Sequence, residues 1–178
     1  MRAWIIGVMG PGDDASQRDI EAAEALGRMI AARGWITLSG GRDTGVMAAV
    51  TRGAAETGGL TVGILPGEDA HQCAPLLHLP IPTGMGNARN NINVLASDLL
   101  IAVAFRPGAG TVSEIALALK AGKPLILLGD DPATTAFFQR LAGGNVHLAA
   151  NVDQAMAIAE QALSDSPGSN HSLWVKSE

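Results

Sequence analysis

The sequence is poor in residues that mark several classes of protein. Cys73 is the single cysteine among 178 residues, so an internal disulfide is excluded and a reducing compartment is expected. Tyrosine is absent and aromatic residues make up only 3%, so alanine, valine, isoleucine, leucine and methionine must build the core. The same scarcity removes the aromatic platforms on which single-stranded nucleic acids stack.

Runs of lysine or arginine are also missing, and the formal net charge is −5. Nucleic-acid binding usually needs a basic stripe along the phosphate backbone, so no nucleic-acid partner is expected. No uncharged apolar segment reaches membrane-spanning length, since Asp98 splits LASDLLIAVAF. The apolar run near the start, AWIIGVM, is too short for the core of a signal peptide. These features predict a cytoplasmic protein that does not bind membranes.

Short apolar runs alternate along the chain with segments of helical periodicity. Strands are predicted at AWIIGVM, WITLS, LTVGILP, LLHLPIP, DLLIAVAF, PLILLG and VHLA. Pro80 and Pro82 indicate an edge or a turn at the end of the fourth run. Continuously apolar strands separated by helices are typical of a mostly parallel sheet with helices on both faces. The predicted fold is a single doubly wound α/β domain over residues 1–163, followed by a flexible tail, 164–178, in which Trp174 is the candidate contact.

Four glycine-rich clusters follow four of the predicted strands. They are GPGDD (10–14), SGGRDTG (39–45), TGMGNAR (83–89) and RPGAGT (106–111). In doubly wound sheets, ligands bind beyond the carboxyl ends of the strands, where the strand order reverses. Because at least three clusters open directly into a helix, exposed amides should form an anion-binding crevice there. The candidate ligand-binding glycines are Gly10, Gly12, Gly40, Gly41, Gly84, Gly86, Gly108 and Gly110.

Arg42, Arg89 and Arg106 lie in these clusters, and arginine is suited to bidentate recognition of phosphate. The alternative is that they pair with neighbouring aspartates on the surface. For Arg42, which adjoins Asp43, the two interpretations are about equal. Arg89 lies in a cluster without acidic residues, which favours ligand contact.

Two roles are open for Thr111 and Glu114. Their spacing fits a capping box, in which the threonine hydroxyl caps a helix amide and the glutamate reaches back. A carboxylate one turn inside a helix whose N-terminus faces an anion could also accept hydrogen bonds from a sugar or a base. Both residues are therefore candidate ligand-binding residues.

The histidines suggest no metal site. His71, Cys73 and His78 lie in a proline-containing connector without a clear fourth ligand, which a zinc site would require. His147 lies in an apolar strand, and the pattern predicts a hydrogen-bonded core histidine.

The segment from Gly108 to Glu114, GAGTVSE, resembles the Gly-Gly-x-Gly-Thr-x-x-Glu motif of the Lonely Guy phosphoribohydrolases. Those enzymes cleave the N-glycosidic bond of adenine-type nucleoside monophosphates, and the resemblance implies Arg89 and Glu114 as a catalytic pair. The chain departs from the pattern at Arg106-Pro107, where the motif has Pro-Gly. It also reads GMGNARNNIN where the family has an arginine–lysine pair.

Longer blocks resemble the molybdenum cofactor carrier proteins, a related branch with the same Rossmann-like fold. The blocks are IGVMGPG, GWITLSGGRDTGVM, GGLTVGILPG, GMGNARNNIN and EIALALKAGKPLILLG, and the resemblance extends from Trp4 to about Leu163. It implies binding without turnover of the molybdenum cofactor, a pterin with a terminal phosphate, and transient contact with molybdoenzymes. A phosphoribohydrolase acting on a nucleoside monophosphate is the alternative.

The same resemblance implies a homo-oligomer, either a dimer or a tetramer. The predicted helices GNARNNINVLAS and GTVSEIALALKAG agree with this, because they carry more alanine, leucine and isoleucine than covering one sheet face requires.

Overall fold

The computed structural model describes residues 2–142 and 146–165, in which strands and helices alternate. Of the predicted tail, 164–178, Ser164 is the last residue of the final helix and Asp165 caps it, while residues 166–178, with Trp174, lie outside this range. A short 3₁₀ helix, Gly86–Arg89, precedes the third α-helix. The elements are β1 (Ile5–Met9), α1 (Gln17–Ala32), β2 (Ile36–Ser39), α2 (Gly45–Glu56), β3 (Thr61–Leu65), β4 (Leu79–Pro82), α3 (Asn90–Ala96), β5 (Leu99–Val103), α4 (Ala109–Lys120), β6 (Leu125–Leu128), α5 (Pro132–Ala142), β7 (Val146–Ala149) and α6 (Val152–Ser164).

The seven strands form one parallel sheet in the order β4-β3-β2-β1-β5-β6-β7. From β1 the chain moves outward through β2, β3 and β4, then returns to the other side of β1 and continues through β5, β6 and β7. The strand order thus reverses between β1 and β5, which pair from Ile6↔Leu99 to Met9↔Ala102. The predicted doubly wound Rossmann-like fold is confirmed, and β4, with Pro80 and Pro82, is an edge strand as predicted.

Alternate residues of the central strands supply two separate cores. Ile6, Val8 and Ile101 face α1, α2 and α6 on one side of the sheet. Leu100 and Leu127 face α3, α4 and α5 on the other. Both faces are therefore covered, which explains why the central strands are apolar without interruption.

Two histidines have roles that differ from a core or metal position. His147 is exposed on β7, so the predicted core histidine is wrong. Among the described residues, β7 pairs with β6 alone and lies at the edge of the sheet. Nδ1 of His78 lies 2.8 Å from Oγ1 of Thr61, and this contact fixes the segment before β4 onto β3.

Within residues 2–142 and 146–165, no cluster of three or more histidine, cysteine, aspartate or glutamate side chains is arranged for a metal ion. No helix in the same ranges combines the length and apolarity needed to cross a lipid bilayer.

One side of the molecule carries an uncovered groove between α3 and α4. It has a volume of about 750 Å³. Small side chains such as those of Ala88, Ala109 and Ala116 line it, together with Leu117. At the end of α3, Leu95 is 55% exposed. We call this surface the α3–α4 groove.

Candidate functional site

The carboxyl ends of β1, β2 and β5 meet where the strand order reverses, and their loops enclose a small cavity with a volume of about 160 Å³. The 3₁₀ helix before α3 closes its remaining side. We call it the rim cavity. It is lined by Val8, Met9, Gly10, Gly12, Gly40, Arg42, Met47, Asn87, Arg89, Asn90, Gly110, Thr111 and Glu114.

The loops after β1 and β2 are locked to each other. The amide of Val46 donates to the carbonyl of Pro11 at 3.0 Å. The hydroxyl of Thr44 donates to Oδ1 of Asp13 at 2.6 Å. Gly45 has φ +48°, and a Cβ there would lie 2.1 Å from the carbonyl oxygen of Gly12. Only glycine permits this approach, which fixes the two glycine loops as one wall of the rim cavity.

Arg89 brings a buried positive charge to this wall. Its guanidinium donates from Nη1 to Oδ1 of Asn90 and lies so close to Gly40 that a Cβ there would be 2.6 Å from Nη2. Its Nε is buried and has no hydrogen-bond partner among the described residues. Burial and the charge of Arg42 lower the pKa of Arg89, whereas Glu114 raises it. The arginine remains charged all the same, because its pKa starts far above neutrality.

Glu114 is the acidic residue of the rim cavity. Its side chain is buried, and its Oε1 accepts a hydrogen bond of 2.8 Å from Nδ2 of Asn93. Burial raises the pKa of this carboxyl to about 7, although Asn93 and Arg89 act in the opposite direction. Glu114 therefore changes between its protonated and ionised forms near neutral pH.

The N-terminus of α4 supplies unused hydrogen-bond donors. The helix begins at Ala109 after Gly108, whose position carries no side-chain cap. The predicted capping box is therefore wrong: Thr111 is the third helical residue instead of the cap, and Glu114 binds Asn93. Oγ1 of Thr111 is buried without a partner among the described residues. The amides of residues 109–111 have no acceptor within the helix, so they too are available to an anion.

Eight of the candidate residues come together around the rim cavity. Arg42 lines the cavity and also approaches Asp13, with 3.9 Å between Nη2 and Oδ2, so pairing with an aspartate is observed and ligand contact stays a prediction. The eight are Gly10, Gly12, Gly40, Arg42, Arg89, Gly110, Thr111 and Glu114.

The other five candidates lie outside the rim cavity. Gly41 has φ +73° and packs against Gly63, where a Cβ would lie 2.8 Å from the neighbouring Cα. Gly84 and Gly86 donate their amides to Gly67 and Pro66, and so form the turn that leads into the 3₁₀ helix. Arg106 and Gly108 line a second cavity, on the other side of the loop that joins β5 to α4.

Asparagines are the site residues that the sequence analysis did not identify. Asn87 and Asn90 line the rim cavity, and Asn93 holds Glu114. Nδ2 of Asn90 donates to Oγ of Ser113 at 3.0 Å, so this side chain links Arg89 to α4. The sequence does contain a signal for these residues: Asn90 and Asn93 are three residues apart, so they share one face of a helix.

Comparison with solved structures shows two strong likenesses. The molybdenum cofactor binding protein of the phototrophic bacterium Rippkaea orientalis is 45% identical, with a TM-score of 0.88, over 92% of this chain and 99% of that one. The molybdenum cofactor carrier protein of Chlamydomonas reinhardtii is 48% identical, with a TM-score of 0.86, over 92% and 99% of the two chains.

A more limited likeness links the chain to an enzyme. The cytokinin riboside 5'-monophosphate phosphoribohydrolase of Mycobacterium marinum is 38% identical over 63 residues, 35% of this chain and 34% of that protein. The SLOG cluster4 family matches residues 3–156, nearly the whole of the described structure. The chain belongs to the SLOG cluster4 family, in the group that contains the molybdenum cofactor carrier proteins.

Proposed function

We propose that this protein binds and carries the molybdenum cofactor, with the terminal phosphate of the pterin held in the rim cavity. One observation supports this most directly: Nε of Arg89 and Oγ1 of Thr111 are buried without partners, beside the free amides of α4. Buried polar groups are normally hydrogen-bonded, so these donors fit a bound anion that completes them. The carrier proteins to which the chain is similar support the identity of the cargo.

The arrangement of acids favours carrying over glycosidic cleavage. Glycoside hydrolysis usually requires two carboxyl groups on either side of the bond that breaks. Among the residues that line the rim cavity, Glu114 is the sole carboxylic acid. Asp13 is held by Thr44 and Arg42 outside the cavity, and Asp14 lines the second cavity instead. A group bound in the rim cavity would therefore meet one acid there, without a second carboxyl on the other side of the bond to complete the reaction.

The second candidate function is a nucleoside monophosphate phosphoribohydrolase. Glu114, with a pKa of about 7, has the proton affinity that suits a general acid or base at neutral pH. Arg89 in the same cavity would hold the phosphate. The similarity to the Mycobacterium marinum phosphoribohydrolase over 63 residues supports this second candidate.

The first prediction concerns Arg89. Arg89→Ala should weaken binding of the molybdenum cofactor by roughly 1.5–3 kcal/mol, because it removes a charged hydrogen-bond donor. This corresponds to about one to two powers of ten in Kd, measured by calorimetry with cofactor released from a molybdoenzyme. Arg52→Ala is the matched control, since Arg52 pairs with Glu24 outside the rim cavity. An unchanged Kd for Arg89→Ala would remove this residue from the site.

The second prediction separates the carrier from the enzyme. Adenosine monophosphate and its N6-substituted relatives should release free base slowly or not at all, because the rim cavity has no second carboxyl group. Chromatography of the reaction mixture measures the free base directly. Robust release that Glu114→Ala abolishes would overturn the carrier proposal and establish the phosphoribohydrolase.

The third prediction is a dependence of stability on pH. The pKa of Glu114 rises from 4.5 to about 7 on folding, so the folded state binds the proton more tightly. The free energy of unfolding should therefore fall as the pH rises from about 4.5 through 7, by at most about 3 kcal/mol. Glu114→Gln should lose this decrease, as urea unfolding at pH 5 and pH 8 would show. Glu56→Gln, at an exposed position, is the control, and equal pH dependence in both variants would contradict the assignment.

We also propose a homodimer or homotetramer in the cytoplasm, joined through the α3–α4 groove, with transient contact to molybdoenzymes. The open groove and the exposed Leu95 support the oligomer. Residues 1–163 are proposed as the carrier domain, with the tail outside it.

The fourth prediction tests this assembly. Ala116→Arg places a charged side chain in the α3–α4 groove and should produce monomers in sedimentation at micromolar concentration. Ala157→Arg makes the same change at an exposed position of α6, on the opposite face, and should leave the oligomer intact. A monomeric wild-type protein, or an Ala116→Arg variant that assembles normally, would contradict the proposed interface.

A further inference from the structure

A second cavity, with a volume of about 610 Å³, lies at the same rim of the sheet, between the loop after β5 and helix α5. The chain has only three phenylalanines, Phe105, Phe137 and Phe138, and all three line it. We call it the phenylalanine cavity. In a protein so poor in aromatic residues, this concentration indicates a surface for a flat, apolar group.

The three phenylalanine rings are only partly covered by other side chains of the protein. The rings of Phe137 and Phe138 meet edge to face, with centroids 5.1 Å apart. Phe138 is buried, but Phe137 is 48% exposed. The guanidinium of Arg18 lies 3.9 Å from the centroid of Phe105 and covers that ring. Phe137 therefore offers a free aromatic surface to a ligand in the cavity.

The phenylalanine cavity adjoins the rim cavity. Gly108 lines the former and Gly110 the latter, and two successive Cα–Cα steps separate them by at most about 7.6 Å. In the loop after β1, Gly12 faces the rim cavity and Asp14 the phenylalanine cavity. A Cβ on Gly108 would lie 3.5 Å from Oδ2 of Asp14, so the two loops face each other across the boundary.

The rim cavity is too small for a complete cofactor. Its volume of about 160 Å³ is well below the 610 Å³ of the phenylalanine cavity, and it suits a small anion such as a phosphate group. Cavities that enclose whole ligands measure about 300–1,000 Å³, a range that includes the phenylalanine cavity. A ligand with a phosphate and a flat ring system therefore extends beyond the rim cavity, and the phenylalanine cavity is the neighbouring cavity with an aromatic wall.

We propose that the phenylalanine cavity is the subsite for the ring system of the cargo, and that it selects a pterin over adenine. This inference rests on the proposed function, since it takes the phosphate to lie in the rim cavity. Phe137 stacks on the ring, and the carboxylates of Asp14 and Asp131 on the cavity wall face its polar edge.

The two carboxylates explain the choice of ring. Ionised carboxylates only accept hydrogen bonds. The amino-pyrimidinone edge of a pterin presents two adjacent N–H donors, whereas the corresponding edge of adenine pairs one donor with an acceptor that a carboxylate repels. Oδ2 of Asp131 accepts from the amide of Thr134 at 2.8 Å and so caps α5. Asp14 makes no side-chain hydrogen bond or ion pair with any other described residue, so its carboxylate is available to the ligand.

The experiment uses three probes with the full-length protein: 6-hydroxymethylpterin monophosphate, adenosine monophosphate and inorganic phosphate. Phe137→Ala should weaken the phosphorylated pterin about tenfold, the order expected for one lost ring stack, and leave inorganic phosphate unchanged. Leu141→Ala is the matched control, since Leu141 is an exposed apolar residue of α5 outside the cavity. Asp14→Asn should weaken the phosphorylated pterin several-fold without weakening adenosine monophosphate.

The outcomes separate this inference from the proposed function. If Arg89→Ala weakens the phosphorylated pterin but Phe137→Ala and Asp14→Asn do not, the phosphate site stands and the ring subsite is wrong. A loss of inorganic phosphate binding in Phe137→Ala would also overturn the subsite, because the effect would then be structural. If the wild-type protein does not bind the phosphorylated pterin, both proposals fall.

Discussion

The burial of a guanidinium and a carboxyl group, those of Arg89 and Glu114, beside an uncapped helix end is the physical constraint on which the site depends. Taking a charged group out of water is unfavourable unless hydrogen bonds and an opposite charge replace the solvent. Here the replacement is partial. Asn90 and Asn93 each satisfy one atom of the pair, but Nε of Arg89 has no partner among the described residues and the Glu114 carboxyl has a pKa of about 7. An anion would accept hydrogen bonds from these donors. The buried polar groups of the site would therefore have most of their hydrogen bonds when a ligand is bound.

The sheet topology makes this arrangement possible. The chain leaves the edge strand β4 and crosses back over the sheet to β5, and the crossing segment carries the 3₁₀ helix and α3. Arg89 and Asn93 therefore arrive at the β1–β5 junction from the side opposite to the glycine loops of β1 and β2. Because β4 has only one neighbour, its prolines remove no necessary hydrogen bond from the centre of the sheet. The crossover from β4 to β5 thus connects an edge strand that accommodates proline to the loops that form the rim cavity.

The sequence predicted the layers and the rim much better than the details of the site. Apolar runs and glycine clusters depend on local rules, so the strands, the helices and the convergence of the loops at one edge could be predicted. The start of α4 could not, because Thr111 and Glu114 fit a local capping box as well as they fit a tertiary contact. Asn93, on the neighbouring α3, decides between the two by binding Glu114, and no spacing within α4 contains that information. His147 was misassigned for a similar reason, since an apolar strand does not reveal whether it lies at the edge of the sheet.

The protonation state of Glu114 distinguishes a carrier from an enzyme that cleaves the glycosidic bond. A general base must be ionised while the substrate is bound, but a phosphate in the rim cavity adds negative charge beside the carboxyl. A like charge nearby disfavours ionisation, so an anionic ligand in the rim cavity would raise the pKa of Glu114 further. With the proposed ligand bound, Glu114 would be a neutral carboxylic acid that donates a hydrogen bond to the ligand instead of accepting a proton from water. Catalysis requires binding that is stronger in the transition state than in the ground state, whereas a carrier needs only the ground state to be bound well. A buried acid that takes up a proton when its anion arrives stabilises that ground state, and this is the behaviour that suits a carrier.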